Sequence, residues 1–161
     1  MKFLLHILFP FLVFQAFSQT TPHSYSSQKA DSIVAYARNL KGTTYTYASC
    51  TPDKGFDCSG FVYYVFSHFG IVTPRSSIDY SIFGKKISID SCRKGDIIVF
   101  TGTKADNRRP GHVGIVISGT GENVHFIHSS SSKKHYGVIE STFKESPYYK
   151  ARFIKIVRVL N

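Results

Sequence analysis

The 161-residue chain contains no C-x-x-C pair and no H-x-x-x-H pair, the spacings that present two metal ligands from one short segment. That absence argues against a zinc site, and the chain is read as free of metal and cofactor. Cysteine is scarce as well, limited to Cys50, Cys58 and Cys92. Three thiols cannot all pair within one chain, so in an oxidising compartment one stays free or bridges to another molecule. If Cys50 and Cys92 join, Cys58 is the free one. Acidic residues are few, 10 against 20 Lys and Arg, for a net charge of +10. On an exported protein that balance suits anionic partners such as cell-wall polymers, lipid head groups or acidic peptides. The basic residues are scattered, without the arginine-and-aromatic pattern of a strand-binding surface, which argues against nucleic acid. Internal repeats and linkers are also missing, and the length suits one domain.

What the chain does have begins with one long apolar run. Lys2, then "FLLHILFPFLVF", then Ala16-Phe17-Ser18 read as a signal peptide over residues 1–18. The run is short for a membrane span and Pro10 interrupts it. No cysteine near the cleavage point could carry a lipid, so no stable membrane anchor is expected after cleavage. The mature chain would start near Gln19 and act in the periplasm or outside the cell. Residues 19–27 are a polar, flexible lead-in, and residues 28–161 form the domain.

"SSQKADSIVAYARNLKG" places Ala30, Ile33, Val34, Ala37 and Leu40 at helical spacing, with Ser26 or Ser27 to cap the start and Gly42 past the end. A turn-rich loop follows, and then "GFDCSGFVYYVF". There Phe61, Val62, Val65, Phe66 and Phe69 form a second apolar stripe, with Asp57 as N-cap and Cys58 in the first turn. Residues 73–84 suggest a loop with one helical turn after Pro74. Beyond them the period changes to two: "DIIVF", "HVGIVI", "NVHFIHS", "YGVIE" and "ARFIKIVRVL" predict strands. Helices first and strands afterwards indicate an α+β fold, helices packed on an antiparallel sheet.

A thiolate attacks carbonyls, and a helix start favours it through unpaired N–H groups and the positive dipole end. Asp57 opposes this, so an imidazole is needed, forming a thiolate–imidazolium pair and later protonating a leaving amine. Of seven histidines, His6 leaves with the signal and His23 lies in the lead-in. His68 suits the end of the second helix, and His135 sits in a Ser/Lys-rich loop. His112, His125 and His128 remain. If Gly119-Thr120-Gly121 is a three-residue hairpin loop, His112 lies directly opposite His128 on one face. A two-residue turn would put them on opposite faces. Taken singly these are ordinary core residues; together they make a candidate set in which His128 orients His112 and His112 activates Cys58.

In order and spacing, "GFDCSGFV", "KGDIIVF", "PGHVGIVI" and "FIHSS" resemble the NlpC family of bacterial cell-wall cysteine peptidases, over roughly residues 28–160. The resemblance implies a papain-like fold and hydrolysis of the D-γ-glutamyl–diamino acid bond in peptidoglycan stem peptides. It makes Cys58 the nucleophile, His112 the base and His128 the orienting third member. "KGTTYTYASC" resembles the family's G-x-x-Y segment, which implies Tyr45 as oxyanion donor beside the Cys58 N–H. Asp57 and Ser59 would line the substrate side, Asp57 pairing with a free stem-peptide amine, serving as the cap, or doing both. "TPRSS" implies Arg75 on a substrate carboxylate, a surface ion pair being the alternative, and Asp96 in "KGDIIVF" reads as a structural turn residue. The chain departs from the pattern at Ala48-Ser49, where two glycines are usual, and at Tyr80, where glutamine is common; both bear on the cleft wall. Kept open are an amidase, an acyltransferase or a delivered toxin with the same Cys–His machinery, and a wall-binding domain without catalysis.

Overall fold

The computed structural model describes residues 25–118 and 123–160; the expected signal peptide and the hairpin tip at 119–122 lie outside them. The first helix, α1 (Tyr25–Asn39), starts slightly earlier than Ser26 or Ser27 would dictate. After it come two short strands, β1 (Cys50–Thr51) and β2 (Gly55–Phe56), which pair with each other. The second helix, α2 (Cys58–His68), begins at the quoted cysteine, and Asp57 caps it by accepting from the Gly60 N–H. A 3₁₀ turn over Ser77–Ser81 fills the stretch after Pro74.

The remaining strands are β3 (Lys85–Ile87), β4 (Ile97–Thr101), β5 (Pro110–Val116), β6 (His125–Ser132), β7 (His135–Thr142) and β8 (Phe153–Arg158). They form one six-stranded antiparallel sheet in the order β3-β8-β4-β5-β6-β7. The architecture is therefore α+β and papain-like, as the resemblance implied. A third helix, α3 (Pro147–Arg152), lies ahead of the last strand and takes the first two residues of the predicted "ARFIKIVRVL" strand. Its signals are local: Ser146 caps it and Pro147 occupies the first turn.

The sheet is covered on both faces, which explains why "IIVFT" reads as a continuous apolar run rather than an alternating one. Ile97 and Val99 pack with Ile33, Phe61, Val65 and Phe66 on the helical side. Ile98 and Phe100 pack with Val116, Phe126 and Ile156 on the other, where Tyr149 of α3 and Phe153 close over them. Phe61 and Phe66 are wholly buried, each contributing about 2–3 kcal/mol through apolar burial. Asp96 is 1% exposed. It accepts from the Arg93 N–H and holds Arg158 through Nε and Nη2 at 2.9 and 2.7 Å, the structural role expected of it.

Two features of this frame position the site. Among the described residues the β5–β6 ladder has Ile115–Ile127 and Val116–Phe126 as its partners, and toward Gly111 and Ser129 the strands fork. The start of α2 occupies the fork: Cys58 Sγ approaches the Gly111 carbonyl of β5, and Ser129 Oγ of β6 donates to the Phe56 carbonyl at 2.7 Å. At the far edge of the sheet, the Gly42 N–H donates to the Val138 carbonyl and the Val138 N–H to the Thr43 carbonyl. This main-chain clamp fastens the segment that carries Tyr45 to β7.

Candidate active site

His112 and His128 meet. Their Nε2 and Nδ1 atoms are 2.9 Å apart, with the rings nearly perpendicular at 89°. The direct opposition anticipated from a three-residue loop does not occur. The hairpin is shifted by two positions, with the Ile117 N–H donating to the His125 carbonyl, so His128 lies beside Gly114 instead. A two-residue shift preserves the face, and the imidazoles still converge, diagonally. Gly114 makes that possible. A Cβ there would sit 3.0 Å from the His128 Cβ, the Ile127 carbonyl oxygen and the Phe126 ring, inside ordinary contact distance. The glycine in "HVGI" is thus the space into which His128 fits.

His128, 1% exposed, is held from behind by partners that the sequence reading missed. Its Nε2 lies 3.0 Å from Ser141 Oγ and 3.2 Å from Tyr149 Oη. Ser141 comes from β7 and Tyr149 from α3, and the "SP" helix start was the only available signal for the latter. His125 is exposed on β6. His68 stacks on Tyr36 with centroids 4.0 Å apart, consistent with a structural role at the helix end.

Cys58 is 8% exposed. Its sulfur lies 3.9 Å from the Gly111 carbonyl oxygen, against the backbone that carries His112. With His112 Nε2 engaged by His128, its other ring nitrogen, Nδ1, takes no part in that bond. Burial pushes the Cys58 thiol up to about 11, with the Asp57 charge adding to it. Burial also pushes the half-buried His112 imidazole down to about 4. Both effects favour the neutral thiol and the neutral imidazole at rest, the direction opposite to a thiolate–imidazolium pair.

The same depression sets a pH dependence. Burial lowers His112 to about 4 and His128 well below 6.5, where the neighbouring His112 contributes too. The unfolded chain therefore binds more protons between about pH 6.5 and 4, and stability falls as pH is lowered through that window. The expected slope approaches 1.4 kcal/mol per pH unit per histidine. Urea midpoints measured from pH 7 to 4 check this, and a His128→Phe variant should show the shallower slope.

Tyr45 and His112 line one cleft of about 640 Å³, which continues past Thr101 and Thr103 to Tyr148 and Arg152 of α3. Burial, and after it the Cys58 and Asp57 charges, push the Tyr45 phenol up to about 12, so it remains a protonated donor at neutral pH. Cys58 does not itself line this cleft; the Gly111 carbonyl against which its sulfur lies does.

Asp57 and Arg75, both read from the sequence as candidate substrate contacts, meet each other. Arg75 grips both Asp57 oxygens, Nη1 to Oδ1 at 3.0 Å and Nη2 to Oδ2 at 2.9 Å. Asp57 Oδ1 also accepts from the Gly60 N–H at 2.6 Å and from Ser59 Oγ at 3.3 Å. In the structure the two residues therefore form an ion pair, the alternative kept open for Arg75, and Asp57 also serves as the α2 cap. Ser59, 5% exposed, belongs to this cluster.

Tyr80 does not bear on the cleft wall: it is fully buried in the helix-side core against Phe83. Ala48 takes the left-handed backbone conformation, φ 58°, that glycine adopts freely and alanine at a cost of about 1–2 kcal/mol. All three cysteines are free, so Cys50 and Cys92 do not pair. Among the described residues no three His, Cys, Asp or Glu side chains converge to hold a metal ion.

A model of the NlpC/P60 family matches residues 42–158. The chain is 36% identical over 127 residues to the gamma-DL-glutamyl hydrolase of Bacillus subtilis, covering 79% of this chain and 29% of that protein. It is 38% identical over 122 residues to the murein DD-endopeptidase MepS/murein LD-carboxypeptidase of Escherichia coli, 75% of this chain and 58% of that protein. It thus spans well under two thirds of these relatives. Among solved structures, an NlpC/P60 family protein from Bacillus cereus superposes with a TM-score of 0.72 at 26% identity, covering 82% of this chain and 40% of that one.

Proposed function

The chain belongs to the NlpC/P60 family, and from that premise we propose that it is an exported cysteine endopeptidase of peptidoglycan stem peptides. The favoured bond joins D-γ-glutamate to the diamino acid. One observation carries the reading. The Cys58 sulfur lies against the backbone of His112, whose far ring nitrogen is bonded to His128, and the same cleft holds a protonated phenol. Residues 1–18 serve as the export signal, and the domain follows it.

The tautomers follow from the roles. For Nδ1 of His112 to act as base, Nε2 must carry the proton and donate to His128 Nδ1. His128 Nε2–H then donates to Ser141 Oγ or Tyr149 Oη. The Cys58 proton passes to His112 as the sulfur bonds to the substrate carbonyl carbon, and the oxyanion accepts from Tyr45 Oη–H and the Cys58 N–H. His112 protonates the leaving amine, the C–N bond breaks and a thioester remains. Water, losing its proton to His112, hydrolyses that thioester and restores the thiol.

Incubation of the protein with purified muropeptides tests the reading. Products whose summed mass exceeds the substrate by one water, with a new amine on the diamino acid, are expected; intact muropeptides under reducing conditions refute it. A second reading of the bond rests on the Escherichia coli relative, whose name joins DD-endopeptidase with LD-carboxypeptidase. Release of D-alanine, or cleavage between crosslinked stems, would select it.

A further inference from the structure

Beyond His112 the cleft has one charged side chain held over it, and that charge has no counter-ion. Arg152 lies with its guanidinium carbon 3.8 Å above the Tyr148 ring. Its Nη2 donates to the Thr103 carbonyl at 2.8 Å and its Nη1 to the Tyr148 carbonyl at 3.3 Å. These partners are neutral acceptors. Among the described residues no carboxylate pairs with Arg152, and none of those lining the cleft is Asp or Glu. Arg152 Nε is buried with no hydrogen-bond partner, although a guanidinium carries five donors in a planar fork. Leaving a charged buried donor unsatisfied is costly.

The group is also held still. Arg108 donates to the carbonyls of Ala151 and Phe153 on either side of residue 152, so the backbone beneath the guanidinium is pinned. The flanking segments are mostly basic: the β4–β5 loop brings Lys104, Arg108 and Arg109 against Asp106, and the β6–β7 turn brings Lys133 and Lys134, while Glu145 precedes α3. A stacked, backbone-anchored guanidinium without a carboxylate partner is preorganised for a planar anion.

We propose that Arg152, with the hydroxyl-bearing wall around it, forms a subsite for a carboxylate on the leaving-group residue of the substrate. Only the direction rests on the reading above. His112 protonates the leaving amine, so the residue bearing that amine occupies His112's side of Cys58, the part of the cleft walled by Thr103, Tyr148 and Arg152. Arg75, the residue that the sequence suggested for such a carboxylate, is already bound to Asp57.

Calorimetric titration of the full chain carrying Cys58→Ala tests the subsite with three stem peptides. In one the leaving-side diamino acid keeps a free main-chain carboxylate, in another a free side-chain carboxylate, and in the third both are carboxamides. At least one free acid should bind about 10–100-fold more tightly than the diamide, the range of a charge-assisted bidentate contact, and the first two arms identify which carboxylate it is. Adding Arg152→Gln should bring the acid-to-amide ratio close to one. Arg152→Lys, which retains charge without the fork, should give an intermediate ratio and serves if the glutamine variant does not fold. Equal affinities for acid and diamide in the parent, or an unchanged ratio in either variant, overturn the proposal. Wild-type turnover is scored separately. Turnover without discrimination removes the subsite alone, and discrimination without turnover removes the endopeptidase reading alone.

Discussion

On the proposed mechanism Cys58→Ala should hydrolyse muropeptides at least about 10⁴-fold more slowly than the wild type, because the thioester cannot form without the Cys58 sulfur. The fold should barely notice. The substitution removes one sulfur that is 8% exposed at the edge of the core, and its effect on stability should stay within about 1 kcal/mol. Initial rates by chromatography of the products, together with urea midpoints, measure both. His112→Gln supplies the complementary arm, with a loss of about 10³-fold, since it retains a polar side chain but cannot accept the thiol proton. Retention of full activity by the alanine variant would transfer the chemistry to another residue and dissolve the assignment.

The second large effect is on stability. Asp57→Ala removes the α2 cap, strands the Gly60 N–H and leaves Arg75 with no carboxylate at once. Losing a cap costs about 1 kcal/mol, and breaking a buried pair costs about 3–5 kcal/mol. The Arg75 side chain is 37% exposed, so solvent compensates part of the second amount, and a total of about 2–3 kcal/mol is expected. For a domain of this size that corresponds to a Tm lower by roughly 8–12 °C. Asp57→Asn keeps the cap and should lose about half as much. Thermal melts of both variants beside Arg75→Ala form the cycle, and additive losses in the double variant would show that the two side chains act independently.

Much of this site can be read along the chain because it depends on local signals. Cys58 follows a cap residue and precedes an apolar stripe, so its place at a helix start needs no tertiary information. The shared face of His112 and His128 survived a register displaced by two residues, because side chains alternate with period two and an even shift leaves parity intact. What escaped was contact between distant segments. Nothing in the spacing of Asp57 and Arg75 indicates that they bind each other, and Ser141 and Tyr149 meet His128 only because β7 and α3 fold back over it. Protonation was equally hidden. The apolar packing that raises the thiol and lowers the imidazole comes from several elements at once, whereas the helix start and the neighbouring aspartate are visible locally. Ala48 is an intermediate case: its departure from glycine was legible, and its left-handed backbone was not.

The clamp between Gly42, Thr43 and Val138 is made entirely of peptide N–H and C=O groups. Any residue but proline supplies those atoms, so mutational drift at position 43 can change that side chain without relocating the phenol two residues further along, whereas Val138 is fixed by its place in the core as well. Thr43 thereby holds the Tyr45 position through its peptide group alone.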